Sequence, residues 1–230
     1  QFQDQIDESY LFIQGGFGRV LMGTENSAQY LMQTAPPDVG IGFNSGDQSN
    51  WIANTTGSAT TRAAFGSTNV EAGRVNDSEK ITYFTPRFAG LQFGVSCVRD
   101  GTQDNLNSQN TGSHDGFSTG LNYTQDFGGF NVAASGTFGV INQSIAAVAV
   151  GTADDSFMVY TVGANVGVGP ISAGVSFAHQ IQGDSGATSI EGYGINGGIA
   201  YQNGPIGVSA NVHYGVEEGQ STAGGDAFGE

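Results

Sequence analysis

Residues 192–197, GYGING, have the G-x-G-x-x-G spacing with which a strand-to-helix turn cradles a pyrophosphate. That chemistry needs a helix after the turn, so that backbone N–H groups meet the anion. Here the six residues lie inside an alternating run, IEGYGINGGIAY, with no helical period behind it. The glycines read instead as space on one side of a strand, or as relief of crowding in a curved wall. His114, His179 and His213 are scattered, and neither H-E-x-x-H nor paired C-x-x-C spacing is present to hold a metal. No G-x-S-x-G turn presents a nucleophile. The single Cys97 rules out an internal disulfide and sits on the apolar side of a strand, as an inert buried or lipid-facing thiol. Asp154 and Asp155 read as a solvated acidic loop tip, with Ca²⁺ held in acidic loops as the alternative. The sequons NTT and NQS read as chance occurrences. No constellation for making or breaking bonds is found, so neither an enzyme nor a cofactor is expected.

The composition narrows the classes further. The 230 residues carry 21 acidic and 6 basic side chains, a net charge of −15. Such a chain repels nucleic acid, whose binding needs a basic face. Charged residues are only 12% of the total, about half the usual share. Glycine is abundant, 38 residues against 5 prolines, but it falls inside alternating apolar runs rather than in a linker. No stretch approaches the ~18 consecutive apolar residues of a transmembrane helix. No leader is recognisable; the chain begins at Gln1 without Met, so a leader could have been removed or the start could be missing.

Stepping along the chain, the dominant period is two. In KITYFTPRFAGLQFGVSC, residues 80–97, Ile81, Tyr83, Leu91, Phe93, Val95 and Cys97 share one face of a hairpin, and Thr82, Gln92, Gly94 and Ser96 share the other. The same division recurs over residues 159–179 and 190–214. Tight turns fall near residues 15, 87, 127, 169 and 203, as QGGFG, TPRFAG, DFGG, GVGP and QNGP, with looser connections at the other ends. The pattern predicts about ten strands: 3–13, 17–24, 79–85, 90–98, 115–125, 129–140, 155–167, 170–180, 188–202 and 205–216. One short helical turn is predicted within residues 25–32.

A soluble sandwich turns its apolar face inward and presents charged residues to water. Here the polar face is Gly, Ser, Thr, Asn and Ala, the acids concentrate in loops, and aromatic residues stand beside the turns. An apolar band with aromatic edges, short turns at one end and long loops at the other is the pattern of a transmembrane antiparallel β-barrel, in which lipid forces the backbone to satisfy itself. The competing class is a secreted soluble β-protein. Residues 24–78 break the rhythm: loops of about this length are rare and usually functional. The segment holds five acids against two arginines, and also Tyr30, Leu31, Met32, Ile41, Phe43, Trp51 and Phe65, which a solvated loop does not need. It is expected to fold against something, such as the inside of a barrel.

GGFGRVLMG, this long loop and then KITYFTPRFAGLQFGVS together resemble the general porins of Gram-negative bacteria, most nearly their α-proteobacterial branch. The resemblance is strong over residues 1–98 and weaker to about 216. It implies an all-β, 16-stranded barrel, assembled as a trimer in the outer membrane among lipid and lipopolysaccharide. It implies a single domain over 1–230, with residues 24–78 as the loop that folds into the lumen and narrows it. The strands here would be the fourth through the thirteenth, with three more before Gln1 and three after Gly215; ten strands closing alone is the other possibility. The C-terminal aromatic residue typical of such barrels is absent, the chain ending at Glu230. The implied function is passive diffusion of small hydrophilic solutes and ions through a water-filled pore. Selectivity would then come from pore width and from charges across the constriction. Candidates for one wall are Glu25, Asp38, Asp47 and Glu71; candidates for the opposing side are Arg19, Arg62, Arg74 and Lys80. Each alone also reads as a solvated or loop-bracing charge. Arg87 lies in a tight turn, on the periplasmic side. The acid excess predicts a preference for cations. A non-conducting structural or adhesive outer-membrane barrel is the alternative, although the small residues of the polar face favour an open pore over a plugged one.

Overall fold

A computed structural model describes residues 8–39, 61–75, 78–101, 112–144, 155–182 and 190–219. Ten antiparallel strands form one sheet in sequence order. They are β1 (Tyr10–Gly15), β2 (Gly18–Gly23), β3 (Lys80–Phe84), β4 (Leu91–Asp100), β5 (Gly112–Asp126), β6 (Asn131–Ser144), β7 (Asp155–Val168), β8 (Ile171–Gln182), β9 (Ile190–Asn203) and β10 (Ile206–Gly219). Each strand pairs with its neighbours in the chain; among the described residues β1 and β10 do not pair with each other.

Short turns join the strands at one end of the sheet, at the five places where glycine clusters predict them. Two of them show why. Gly169 and Gly204 adopt φ of 55° and 56° and are followed by Pro170 and Pro205. A glycine of positive φ ahead of a proline is suited to the tight two-residue turn whose twist matches a right-handed strand pair. Arg87 ties the β3–β4 turn instead, donating from Nη1 to the Gly90 carbonyl at 2.7 Å and from Nη2 to Gln92 Oε1 at 2.9 Å.

At the opposite end the strands run longer than the apolar pattern indicates. β4 continues to Asp100, β5 starts at Gly112, β6 reaches Ser144 and β10 reaches Gly219. Backbone pairing needs no apolar side chain, so the ladder goes on through SHDG, INQS and VEEG after the hydrophobic alternation has stopped. The first strand differs in the other direction. Residues 3–7 lie outside the described ones, and pairing begins at Tyr10, opposite Gly23, and runs to Gly15.

The register keeps the residues of each face opposite one another from strand to strand. Ile81 faces Cys97, Phe93 faces Leu121, Val162 faces Phe177, and Val175 faces Gly197, all on one side. On that side the large apolar residues are exposed, including Ile81, Phe93, Leu121, Val162, Val175, Ile199, Val208 and Val212. Thr82, Ser96, Ser118, Thr137, Thr161, Ser176 and Asn196 on the other side are buried. Their hydroxyls bond across strands, Thr82 to Ser96 at 2.6 Å and Thr137 to Thr161 at 2.7 Å. This is the reverse of a soluble sheet, which buries its apolar face. Aromatic residues stand at both ends of the open face. Phe127 and Phe130 stack at 4.9 Å beside the β5–β6 turn, and Tyr160, Phe177 and Tyr193 line up toward the far ends of β7–β9. Such paired belts mark the two membrane–water interfaces.

Val212 distinguishes water from lipid at this face, because 71% of it is exposed. An exposed surface position in water tolerates arginine within about 0.5 kcal/mol. Facing mid-membrane lipid, Val212→Arg is expected to cost about 2–4 kcal/mol. Denaturant titration of the protein in lipid vesicles measures the difference; a neutral substitution would mean the face meets water.

The covered face and the loop that lies on it

The sheet's small-residue face is covered by the described parts of the segment between β2 and β3. Ser27 starts a helix of only four residues, α1 (Ala28–Leu31), with its hydroxyl accepting from the Tyr30 N–H at 3.4 Å. One turn cannot hold itself together in water. It is held by the wall: the Ala28 N–H donates to Ser96 Oγ at 2.7 Å, and Gln29 Nε2 donates to the Val159 carbonyl at 2.9 Å. Met32 and Ala28 pack with Leu21 and Phe84 in a small apolar cluster. The chain then crosses the sheet. The Thr34 N–H donates to Ser135 Oγ, Asn165 Nδ2 donates to the Ala35 carbonyl, and the Val39 N–H donates to Ser209 Oγ on β10.

A second described stretch, 61–75, comes back over β10, β9 and β8. Glu217 Oε2 accepts from the Thr61 N–H at 2.5 Å and from Thr61 Oγ1 at 3.1 Å. His213 Nε2 accepts from the Gly66 N–H at 3.1 Å, which requires the neutral ring. Thr68 and Ser176 share a hydroxyl bond of 2.5 Å. Ala63, Val70, Ala72 and Val75 then join Val98, Ile141, Phe157, Val159 and Ala178 in an apolar cluster between loop and sheet. The two stretches are also bonded to each other: Gln29 Oε1 accepts from the Ala72 N–H at 3.0 Å, and Ser27 Oγ donates to Glu71 Oε2 at 2.6 Å.

The glycines of the strands have a specific use here. A Cβ at Gly163 would lie 1.8 Å from the Thr34 carbonyl oxygen, and one at Gly139 would lie 2.1 Å from Gln29 Oε1. In GYGING, a Cβ at Gly192 would meet Thr61 Oγ1 at 1.8 Å and one at Gly194 would meet the Ala63 carbonyl at 2.0 Å. The space those glycines leave is therefore occupied by the loop, by backbone carbonyls at Gly163 and Gly194 and by side-chain oxygens at Gly139 and Gly192. Gly197, the third glycine of the motif, faces the open side, where its nearest neighbour is 3.9 Å away.

The charged residues singled out from the sequence fall in different places. Glu25, Glu71 and Lys80 are only 9%, 7% and 5% exposed. Glu25 accepts from its neighbour's N–H, Asn26, at 2.9 Å, and Lys80 Nζ donates to the carbonyls of Glu25 and Ser78. These three brace the root of the loop. Asp38 is partly exposed, next to the Val39 anchor on β10. Arg62 belongs to a turn in which its carbonyl accepts from the N–H groups of Phe65 and Ser67. Arg74 ends a single 3₁₀ turn, Ala72–Arg74. Asp47 lies outside the described residues, as does Asp154, while Asp155 opens β7. Arg19 is apart from all of them, at the short-turn end, with its guanidinium 4.8 Å above the Phe12 ring. The positions that anchor the loop most directly, Ser135, Ser209, His213 and Glu217, carry no signal in the sequence beyond a polar residue at every second place.

Gly163→Ala is expected to cost about 1–3 kcal/mol by forcing loop and wall apart. Gly136→Ala, on the other face of the adjoining strand and 4.0 Å from its nearest neighbour, is expected to stay within about 0.5 kcal/mol. Denaturant midpoints of the two variants, with protease cutting of residues 24–39 as a second readout, check this pair.

The family model described as Gram-negative porin matches residues 1–227. No curated protein matches the chain. The family match agrees with a sheet that exposes its apolar side and buries its polar side beneath a long loop, and the chain belongs to the Gram-negative porins, channel proteins of the bacterial outer membrane.

Proposed function

We propose that this porin passes small hydrophilic solutes and ions by passive diffusion, that the covered face lines its lumen, and that residues 24–78 form the constriction and set a preference for cations. The observation that carries the proposal is the loop's position across the small-residue face, from Ser96 on β4 to Ser209 on β10. A segment laid along that face narrows whatever space the wall encloses. Small side chains leave the rest of that space to water. Among the described residues β1 and β10 each pair on one side only, and hydrocarbon offers no hydrogen bonds to an open edge, which supports a wall closed by further pairing there. Assembly as a homotrimer is in keeping with the family.

The charge argument rests on five acids against two arginines between residues 24 and 78. With Glu25 and Glu71 buried, three acids of the segment remain: Asp38, which is partly exposed, and Asp47 and Asp77, which lie outside the described residues; of these Asp38 and Asp47 are the candidates for the constriction. Low-dielectric walls focus their field into a narrow passage, and salt weakens it as the Debye length falls from about 10 Å at 0.1 M to about 3 Å at 1 M.

In a planar bilayer the folded protein is expected to give stepwise conductance that needs no ATP. Asp38→Asn combined with Asp47→Asn is expected to shift the reversal potential toward anions, more at 0.1 M than at 1 M salt. Electrically silent bilayers with folded protein would leave the non-conducting structural or adhesive reading in place of the channel.

A further inference from the structure

Arg19 and Arg87 line one cavity of about 560 Å³ at the short-turn end of the covered face, beneath α1. Its chemistry is opposite in sign to the rest of the chain. Twelve described residues line it, and none of them is a carboxylate. Neither arginine forms an ion pair among the described residues. Arg19 has its guanidinium over the Phe12 ring, and its Nε is buried without a hydrogen bond. A guanidinium has five N–H donors in a fixed fork that matches a carboxylate. Arg87 spends two on the Gly90 carbonyl and Gln92 Oε1 and so keeps three. Those two bonds also hold its position, so part of the entropic cost of ordering a long side chain is met before any ligand arrives. The rest of the lining is apolar where it meets the loop: Leu31, Met32 and Phe84.

From this juxtaposition we infer that the cavity is a binding station for a small organic carboxylate. The carboxylate faces Arg19 and Arg87, and its apolar body rests on Leu31, Met32 and Phe84. The chain's net charge of −15 raises the energy of an anion elsewhere along the wall. Two arginines without ion-pair partners among the described residues lower it here. The inference rests on the reading that the covered face borders water, since that is the route by which a solute reaches the cavity. It assigns the solute class that dwells there, which that reading leaves open.

Isothermal titration of benzoate into the folded protein in detergent micelles tests it, with neutral benzamide and inorganic phosphate as comparison probes. Benzoate is expected to bind at one site, at least about tenfold more tightly than either, since losing the charge or the apolar body removes a principal contact. Arg19→Gln is expected to lower benzoate affinity about tenfold or more. Asn122→Asp, which places a carboxylate in the cavity wall at almost unchanged volume, should do the same and covers the case in which Arg19→Gln does not fold. Benzoate bound equally well by both variants, or no better than benzamide, would overturn the station. Phosphate binding as tightly as benzoate would overturn the organic part of the assignment. Protein that conducts in bilayers yet binds no benzoate sinks this inference alone; protein that binds benzoate yet stays silent sinks the channel reading and leaves the station.

Discussion

A strand in hydrocarbon has no solvent to which it can lend its backbone N–H and C=O groups, and the rest of this structure follows from that constraint. Each of the ten strands satisfies its neighbours in simple antiparallel succession. A strict up-and-down order keeps connections short at one end and frees the other end for long loops. It also gives the two faces different characters, because the side-chain period of two carries most of the large apolar residues to one side, while Leu21, Phe84, Val98, Ile141, Phe157 and Val159 meet the loop on the other. Turning that side outward is stable only where the surroundings are apolar too, so the exposed Ile81, Phe93, Val175 and Val212 define the solvent as lipid.

The inner consequence is less obvious. A sheet face of Gly, Ser, Thr and Asn has little hydrophobic driving force outside the apolar cluster around Ile141 and Val159, yet the described stretches 24–39 and 61–75 lie on it. The segment is held largely by donating its own backbone N–H groups: those of Ala28, Thr34 and Val39 end on serine hydroxyls, and those of Thr61 and Gly66 on Glu217 and His213. Buried backbone groups need partners, and here the wall's side chains supply what a sheet or helix would supply elsewhere. Close approach makes these bonds reachable, and the glycines allow the approach. Gly139, Gly163, Gly192 and Gly194 sit where the loop comes within bonding distance of the wall.

Charge is distributed by the same economy of space. Acids and bases at the root of the loop are buried with hydrogen-bond partners, as Glu71 with Ser27 and Lys80 with two carbonyls. They hold the loop rather than stand free in solution. Arg19 and Arg87, at the other end of the same face, share a cavity with no carboxylate among the described residues that line it. Charge is therefore spread unevenly over the covered face, which a net charge of −15 conceals.

Period-two alternation sufficed to identify ten strands, five tight turns and the outward direction of the apolar face, because these depend on neighbours two residues apart and on local turn chemistry such as Gly204-Pro205. The short helical turn near Ala28 was legible from the helix-like spacing of Ala28, Tyr30 and Leu31. Strand ends were not: β5 and β6 pair through polar residues whose side chains carry no pattern. Nor were the partners of Ser135, Ser209 and His213, which lie 101, 170 and 147 residues from the amides they receive. Residue type determined which positions are small or polar. Only the tertiary structure decided which of them open space, which take a hydrogen bond and which face a cavity, because those roles belong to backbone atoms brought close from distant parts of the chain.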